Sequence, residues 1–269
     1  MCYYTSMIVV LLLGMGLIFG SFINALVWRL RTKRNWVSER SECTHCHHIL
    51  ASKDLIPVIS WMMLKGKCRY CGHKIEDSPV TEVATSLLFA VSYIFWPVSL
   101  QGVGLFQFIW WLGVLIVFMA LTVYDLRWLL LPNKLVYPLT IFVALGTLCL
   151  PLFFHYAWRE VGVALLAAIL LPGIFYILYA FSDGQWIGGG DVKLAVALGI
   201  IAGDPLRAIL VLFLASVIGI AVSLPQIMQH RQRAMALKIP FGPFLIAGTI
   251  LVQLFGASII HWYTHLLIV

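Results

Sequence analysis

The stretch LFQFIWWLGVLIVFMALTVY, residues 105–124, carries no charged side chain and runs directly into Asp125. At 1.5 Å per residue such a run covers roughly 30 Å, the thickness of a bilayer's hydrocarbon core. It is continuous rather than alternating, so it reads as a membrane-spanning helix and not as a lipid-facing strand. Its polar end then becomes the first point of chemical interest, because a carboxylate at a membrane boundary is costly and by default functional.

The rest of the chain repeats this pattern. Its 269 residues are 62% hydrophobic and 11% charged, with a mean hydropathy of +0.97. A soluble domain holds about 45–50% apolar residues, which leaves an all-α polytopic membrane protein. Apolar runs bounded by charge, proline and glycine predict spans near residues 7–28, 80–98, 105–124, 135–153, 161–181, 192–203, 206–226 and 242–266, about eight transmembrane helices in all. The sixth is too short to cross alone. It is expected to take in the preceding glycine turn, to lie where the bilayer is thin, or to be shielded by neighbours, since irregular backbone at membrane depth must be buried or face a water-filled cavity. The expected organisation is a first transmembrane helix (1–28), a cytoplasmic tetracysteine segment (29–79) and a seven-helix membrane domain (80–269).

Cationic residues orient these spans. Of the 18 lysines and arginines, ten lie between the first two spans, and Arg127, Lys134, Lys193, Arg231, Arg233 and Lys238 fall in alternate loops on the same side. Only Arg159 and Arg207 fall opposite, so the positive-inside rule puts the N-terminus outside and the polar segment in the cytoplasm. The first span has no basic stretch before it and a strongly basic flank after it, the reverse of a secretory signal peptide. It is expected to be a permanent span. The net charge of +7 follows topology rather than forming a stripe, which points to the lipid bilayer and its anionic headgroups as the counter-charge, and no nucleic-acid motif appears.

Between the first two spans, Cys43-Thr44-His45-Cys46 and Cys68-Arg69-Tyr70-Cys71 form a CxxC pair of pairs with 21 residues between them, close to four-cysteine zinc spacing. Each knuckle places two thiolates on one turn, and two knuckles close a tetrahedral site of the structural zinc type. Gly72 suits the tight turn that follows. Two disulfides or two redox pairs are the alternatives, and a cytoplasmic location argues against stable disulfides. A short insert with little core of its own commonly needs such a metal staple. His45, His47, His48 and His73 crowd the segment and could substitute as ligands, but their plainer reading is as solvated side chains on a polar knuckle.

A second carboxylate, Asp191, follows Gly188-Gly189-Gly190 at the start of the sixth span, and topology returns it to the membrane face that carries Asp125. Two carboxylates within about 3 Å cannot both ionise, so they share a proton; one then activates water while the other protonates the substrate. Each also has a plainer reading: Asp125 as a juxtamembrane charge beside Arg127, and Asp191 as a helix N-cap. Asp183, in the same loop as Asp191, is the rival for a catalytic role, whereas Asp204-Pro205 reads as a turn. Glu82, in the first turn of the second span, complements the helix dipole. Gly20-Ser21-Phe22-Ile23-Asn24 offers small and amide side chains for helix contact, and Pro240-Phe241-Gly242-Pro243-Phe244 reads as an ordinary passage from loop to helix.

Taken together, these residues resemble the bacterial prepilin peptidases, membrane aspartic proteases of type IV pilus and type II secretion systems. The resemblance runs through Gly20–Asn24, the paired knuckles with Asp54-Leu-Ile-Pro-Val58 and Ser60-Trp61 between them, Pro79-Val-Thr-Glu82, Asp125 with Leu131-Pro132, the GxGD motif Gly188–Asp191 with Val192-Lys193, and Pro240–Phe244. It implies a catalytic pair, Asp125 and Asp191, supported by Gly188, Gly190, Lys193 and Glu82, and a supporting zinc on Cys43, Cys46, Cys68 and Cys71. It further implies prepilin or pseudopilin substrates cut after a glycine at the cytoplasmic face of the bacterial inner membrane. Methylation of the new N-terminus with S-adenosylmethionine is implied as well, with no residues attached. The family commonly has Asp where this chain has Asn133. Alternatives are a presenilin-like GxGD intramembrane protease, a proton-coupled transporter, which would show internal repeats that are not found here, and a membrane-anchored zinc scaffold with dispensable carboxylates.

Overall fold

In the computed structural model, the residues described are 2–35, 40–75, 77–154, 156–229 and 239–268; Arg231, Arg233 and Lys238, used above to orient the chain, lie outside them. Among these residues every regular element is helical: α1 (Cys2–Thr32), α2 (Ile59–Met63), α3 (Val80–Ile94), α4 (Val103–Trp128), α5 (Asn133–Phe154), α6 (Trp158–Phe181), α7 (Gly189–Ala202), α8 (Pro205–Gln229) and α9 (Gly242–Ile268), with a 3₁₀ turn at Ser52–Asp54. Six are long and apolar enough to cross a membrane, namely α1, α4, α5, α6, α8 and α9. The shorter α3 and α7 complete the eight apolar helices expected from the sequence. The chain folds into two compact units, Met1–Ile94 with Trp111–Val123, and Phe95–Trp110 with Tyr124–Val269.

In the first unit α1 packs along α3, and the contact is made by absent side chains. A Cβ at Gly16 would land on the backbone of Ser86, and one at Gly20 on the backbone of Glu82. Two glycines one turn apart thus let the helices touch main chain to main chain, the small-residue packing that suits helices in lipid. Ser86 Oγ uses that closeness to donate to the Leu13 carbonyl at 2.8 Å.

In the second unit α7 is the central helix, packed against α5, α6, α8 and α9. Leu194, Ala195 and every residue from Ala197 to Ala202 are buried. Two of the expectations for this short span hold together: it takes in Gly189 and Gly190 as helical residues, and its neighbours cover it. Gly199 lets α6 approach, since a Cβ there would meet the Ala167 backbone at 2.5 Å. Asp204 accepts the Arg207 backbone N–H at 2.9 Å and pairs with the Arg207 side chain at 3.2 Å, so it caps α8.

Candidate functional site

Asp125 sits on the last turn of α4, four residues before the left-handed Leu129 whose N–H donates to the Asp125 carbonyl at 2.8 Å. It is 5% exposed. The chain then passes Leu131 and Pro132 and enters α5 at Asn133. Asp191 is the third residue of α7, and Gly188 is the N-cap. The expected capping role is therefore realised in modified form: Asp191 reaches back from the third helical position to accept the Gly188 N–H, as the acidic member of a capping box does.

These two carboxylates interact electrostatically. Each is also held by a backbone N–H at a helix N-terminus. Gly188 serves Asp191, and Gly242, the first residue of α9, donates its N–H to the Asp125 carboxylate. Helix N-termini carry partial positive charge, so each of these N–H groups favours the anionic form of the acid it serves. A Cβ on Gly242 would lie 2.7 Å from Asp125 Oδ2 and 3.3 Å from Leu131 Cδ2, and one on Gly190 would lie 3.0 Å from Leu131 Cβ. Leu131 is thus wedged between Gly242, at the start of α9 beside Asp125, and Gly190, beside Asp191. From the sequence Gly242 reads only as part of an ordinary passage from loop to helix, within a stretch shared with the family it resembles.

Lys193 Nζ donates to Asn133 Oδ1 at 3.1 Å and lies 5.8 Å from the centre of the Tyr137 ring, tying α7 to the first turns of α5. Asp183 is exposed, in a turn with φ 49°.

Glu82 belongs to the first unit and does more than complement a dipole. Nearly fully buried, it accepts the Val58 N–H at 2.6 Å and a hydrogen bond from Ser21. Val58 has φ 61° and ψ −50°, and the Ile59 N–H turns back to the Pro57 carbonyl. This is the rare γ-turn, strained for a β-branched residue. Glu82 holds it in place.

The two cysteine knuckles are built alike. Cys43 N–H donates to the His48 carbonyl and His47 N–H to Cys43, just as Cys68 N–H donates to His73 and Gly72 N–H to Cys68, all at 2.8–3.0 Å. Each turn needs a left-handed residue at its fourth step, supplied by Gly72 (φ 70°) and by His47 (φ 55°). The histidines do not join the sulfurs: His45 stacks on His73, His48 on Tyr70, and His47 contacts Glu42. The four Sγ atoms lie within 4.8 Å of one another, Cys43 to Cys71 at 3.9 Å. That is far from a disulfide's ~2.05 Å, yet near the ~3.8 Å edge of a tetrahedron with Zn–S of ~2.3 Å. Burial raises the Cys43 thiol, but the backbone N–H groups of Cys46 and His45 and the adjacent sulfurs outweigh it and bring it to about 7. The His73 backbone N–H favours the Cys71 thiolate, whereas burial and the three other sulfurs push that thiol up to about 12. Four sulfurs so close cannot all ionise without a cation among them, so the donor set fits a metal.

Fold and site define a polytopic α-helical membrane protein with two interacting acids at helix ends, Asp125 buried and Asp191 half-buried, and a four-cysteine segment whose donors fit a metal. Residues 14–96 match the bacterial peptidase A24 N-terminal domain, and residues 111–224 match the type IV leader peptidase family. The chain is 33% identical over 252 residues to the prepilin leader peptidase/N-methyltransferase of Bacillus subtilis (strain 168), covering 92% of this chain and 94% of that one. It is 31% identical over 281 residues to the protein of the same name from Burkholderia pseudomallei (strain K96243), covering 94% and 87%. With its namesake in Aeromonas hydrophila it shares 30% over 284 residues, covering 92% and 91%. The chain belongs to the type IV leader peptidase family. No solved structure matches it.

Proposed function

We propose that this chain is a membrane aspartic endopeptidase that removes the short basic leader from type IV prepilins or type II secretion pseudopilins and then N-methylates the new terminus. Asp125 and Asp191 form the catalytic pair. The observation that carries this reading is the pair itself: two acids 66 residues apart in sequence, brought into electrostatic contact on neighbouring helix ends and each held by one backbone N–H. Structural juxtamembrane acids have no reason to converge.

In the chemistry of such a pair, one proton is shared. The ionised member takes a proton from water as the water attacks the scissile carbonyl, and the protonated member donates to the carbonyl oxygen. Collapse of the tetrahedral intermediate breaks the C–N bond and sends a proton to the leaving amine. The backbone N–H groups of Gly188 and Gly242 fix the two carboxylates without adding a charged partner that would lock either as an anion. Cys43, Cys46, Cys68 and Cys71 hold a structural zinc that staples the polar segment, and S-adenosylmethionine supplies the methyl group of the second reaction. The chain lies in the bacterial inner membrane, N-terminus outside, with both acids at the cytoplasmic face; the positive-inside distribution supports this orientation.

Replacing Asp191 or Asp125 by Asn keeps shape and removes the shared proton chemistry. Each variant is expected to insert and fold yet leave a prepilin uncut, read as product mass. An Asp191→Asn protein that cleaves at the normal rate refutes the assignment.

A further inference from the structure

Between its two cysteine knuckles the polar segment turns an apolar face outward. Ile59, Met62 and Met63 stand at i, i+3 and i+4 on one side of α2, all exposed, the two methionines at 66% and 76%. Leu55 and Ile56, just before them in the chain, are exposed too. The other side of α2 carries Ser60 and Trp61, both half-buried, with Trp61 packed so close to Gly66 that a Cβ there would stand 3.0 Å from its ring. An ordinary surface helix turns its apolar stripe to the core; α2 does the reverse. No residue from Leu55 to Leu64 is charged. The acid just before them, Asp54, is turned inward, its side chain 2% exposed and paired with Arg69 at 2.7 Å. Exposed lysines flank the stretch in the chain, Lys53 before it and Lys65 and Lys67 after it.

The register of α1 on α3 sets the level of this face. Gly16 meets the backbone of Ser86 and Gly20 that of Glu82, so the two helices run antiparallel with Gly20 and Glu82 level. Val58, the residue before α2, donates its N–H to Glu82 at 2.6 Å. The start of α2 is therefore pinned at the level of Glu82, in the first turn of the apolar α3. Past Gly20, α1 runs on to Trp28, about 12 Å further along its axis, before its cations Arg29 and Arg31 begin. Tryptophan followed by arginine marks a membrane–water boundary, and α2 starts on the lipid side of it. An exposed apolar face at that level meets lipid.

We propose that Leu55–Leu64 is a membrane anchor built into the polar segment. Leu55, Ile56, Ile59, Met62 and Met63 enter the acyl region just below the headgroups of the bilayer that α1 and α3 cross, as the apolar face of an interfacial helix does. Lys53, Lys65 and Lys67 reach back to anionic phospholipid headgroups, their long stems lying along the apolar surface. The occupant of the face is lipid because three lysines flank it with no exposed acid among the residues between them, and because its start is pinned at membrane level by Glu82. The strained γ-turn at Val58 has a purpose on this reading: it aims the apolar side of α2 into the bilayer. The two cysteine knuckles, which flank the anchor in the chain, are thereby held against the membrane surface.

The test uses the full chain with photo-methionine in place of methionine, in nanodiscs of mixed phosphatidylglycerol and phosphatidylcholine, irradiated and mapped by peptide mass. Met7 and Met15, exposed on the apolar span of α1, are the internal standards for lipid contact. Met62 and Met63 are expected to carry phospholipid adducts at no less than about a third of the yield at those two positions, an interfacial face being less deeply immersed than a spanning one. A lower lipid yield, or adducts mainly of water or of protein, overturns the anchor. This arm changes no contact and needs no variant to fold. Replacing Lys53, Lys65 and Lys67 by Gln is expected to lower the phosphatidylglycerol share of the Met62 and Met63 adducts at least about twofold, since each lysine near an anionic surface is worth about fivefold in affinity. An unchanged share overturns the headgroup contacts.

Discussion

Gly242→Ala gives the sharpest test of how the acids are held. The added Cβ would stand 2.7 Å from Asp125 Oδ2, 0.7 Å inside the 3.4 Å at which ordinary contact begins, and 3.3 Å from Leu131 Cδ2. Leu131 in turn backs onto Gly190, so relief has to come from the carboxylate. Misplacing a reacting group by about 1 Å costs about a hundredfold, and a shift of this size is expected to lower kcat by roughly 10- to 100-fold, equivalent to about 1.4–2.7 kcal/mol of barrier. Stability is expected to move little, because the overpacking cost of about 1–3 kcal/mol is offset by up to ~1 kcal/mol of helix propensity gained on replacing glycine. Gly173→Ala is the matched control: it lies within α6 and a Cβ there meets nothing within 4 Å, so cleavage is expected unchanged. The assay is single-turnover cleavage of a prepilin followed by product mass, with thermal unfolding alongside. Cleavage by Gly242→Ala within twofold of wild type refutes the reasoning.

The other outcomes concern the supporting structure. Replacing Cys43 and Cys68 by Ser is expected to abolish zinc in elemental analysis and to make residues 40–75 protease-sensitive, since a domain of this size has little core without its metal; a metal-free chain with that segment intact contradicts it. Val58→Gly relieves the γ-turn and is expected to raise stability by ~1 kcal/mol, read as Tm, provided Glu82 still receives the backbone N–H. Asn133→Asp turns the Lys193 hydrogen bond into an exposed ion pair, worth under about 1 kcal/mol. Cleavage should not change, and any stabilisation should fade in high salt.

Hydropathy made the eight apolar helices legible one at a time, because the bilayer acts on each span alone and needs no tertiary partner. The knuckles were legible for a similar reason: each CxxC turn closes within six residues. Glu82 and Gly242 were under-read. What gives each its role is a residue far away in the chain, Val58 for one and Asp125 for the other, and local pattern carries no trace of such contacts. Gly16 and Gly20 hid their role differently, since a missing side chain shows its purpose only when another backbone occupies the space.

By itself, then, the sequence determined that this is a polytopic helical membrane protein, where its spans lie, and that a four-cysteine segment and two boundary acids need explaining. Free energies of transfer and local turn geometry act residue by residue, so a string of residues is enough to read them. Only the tertiary structure decided that Asp125 and Asp191 interact, that the Gly242 and Gly188 N–H groups serve them, that four helices cover the short α7, and that Asn24 and Trp61 leave buried polar atoms unused. Those are facts of proximity, and proximity between distant residues exists only once the helices have packed.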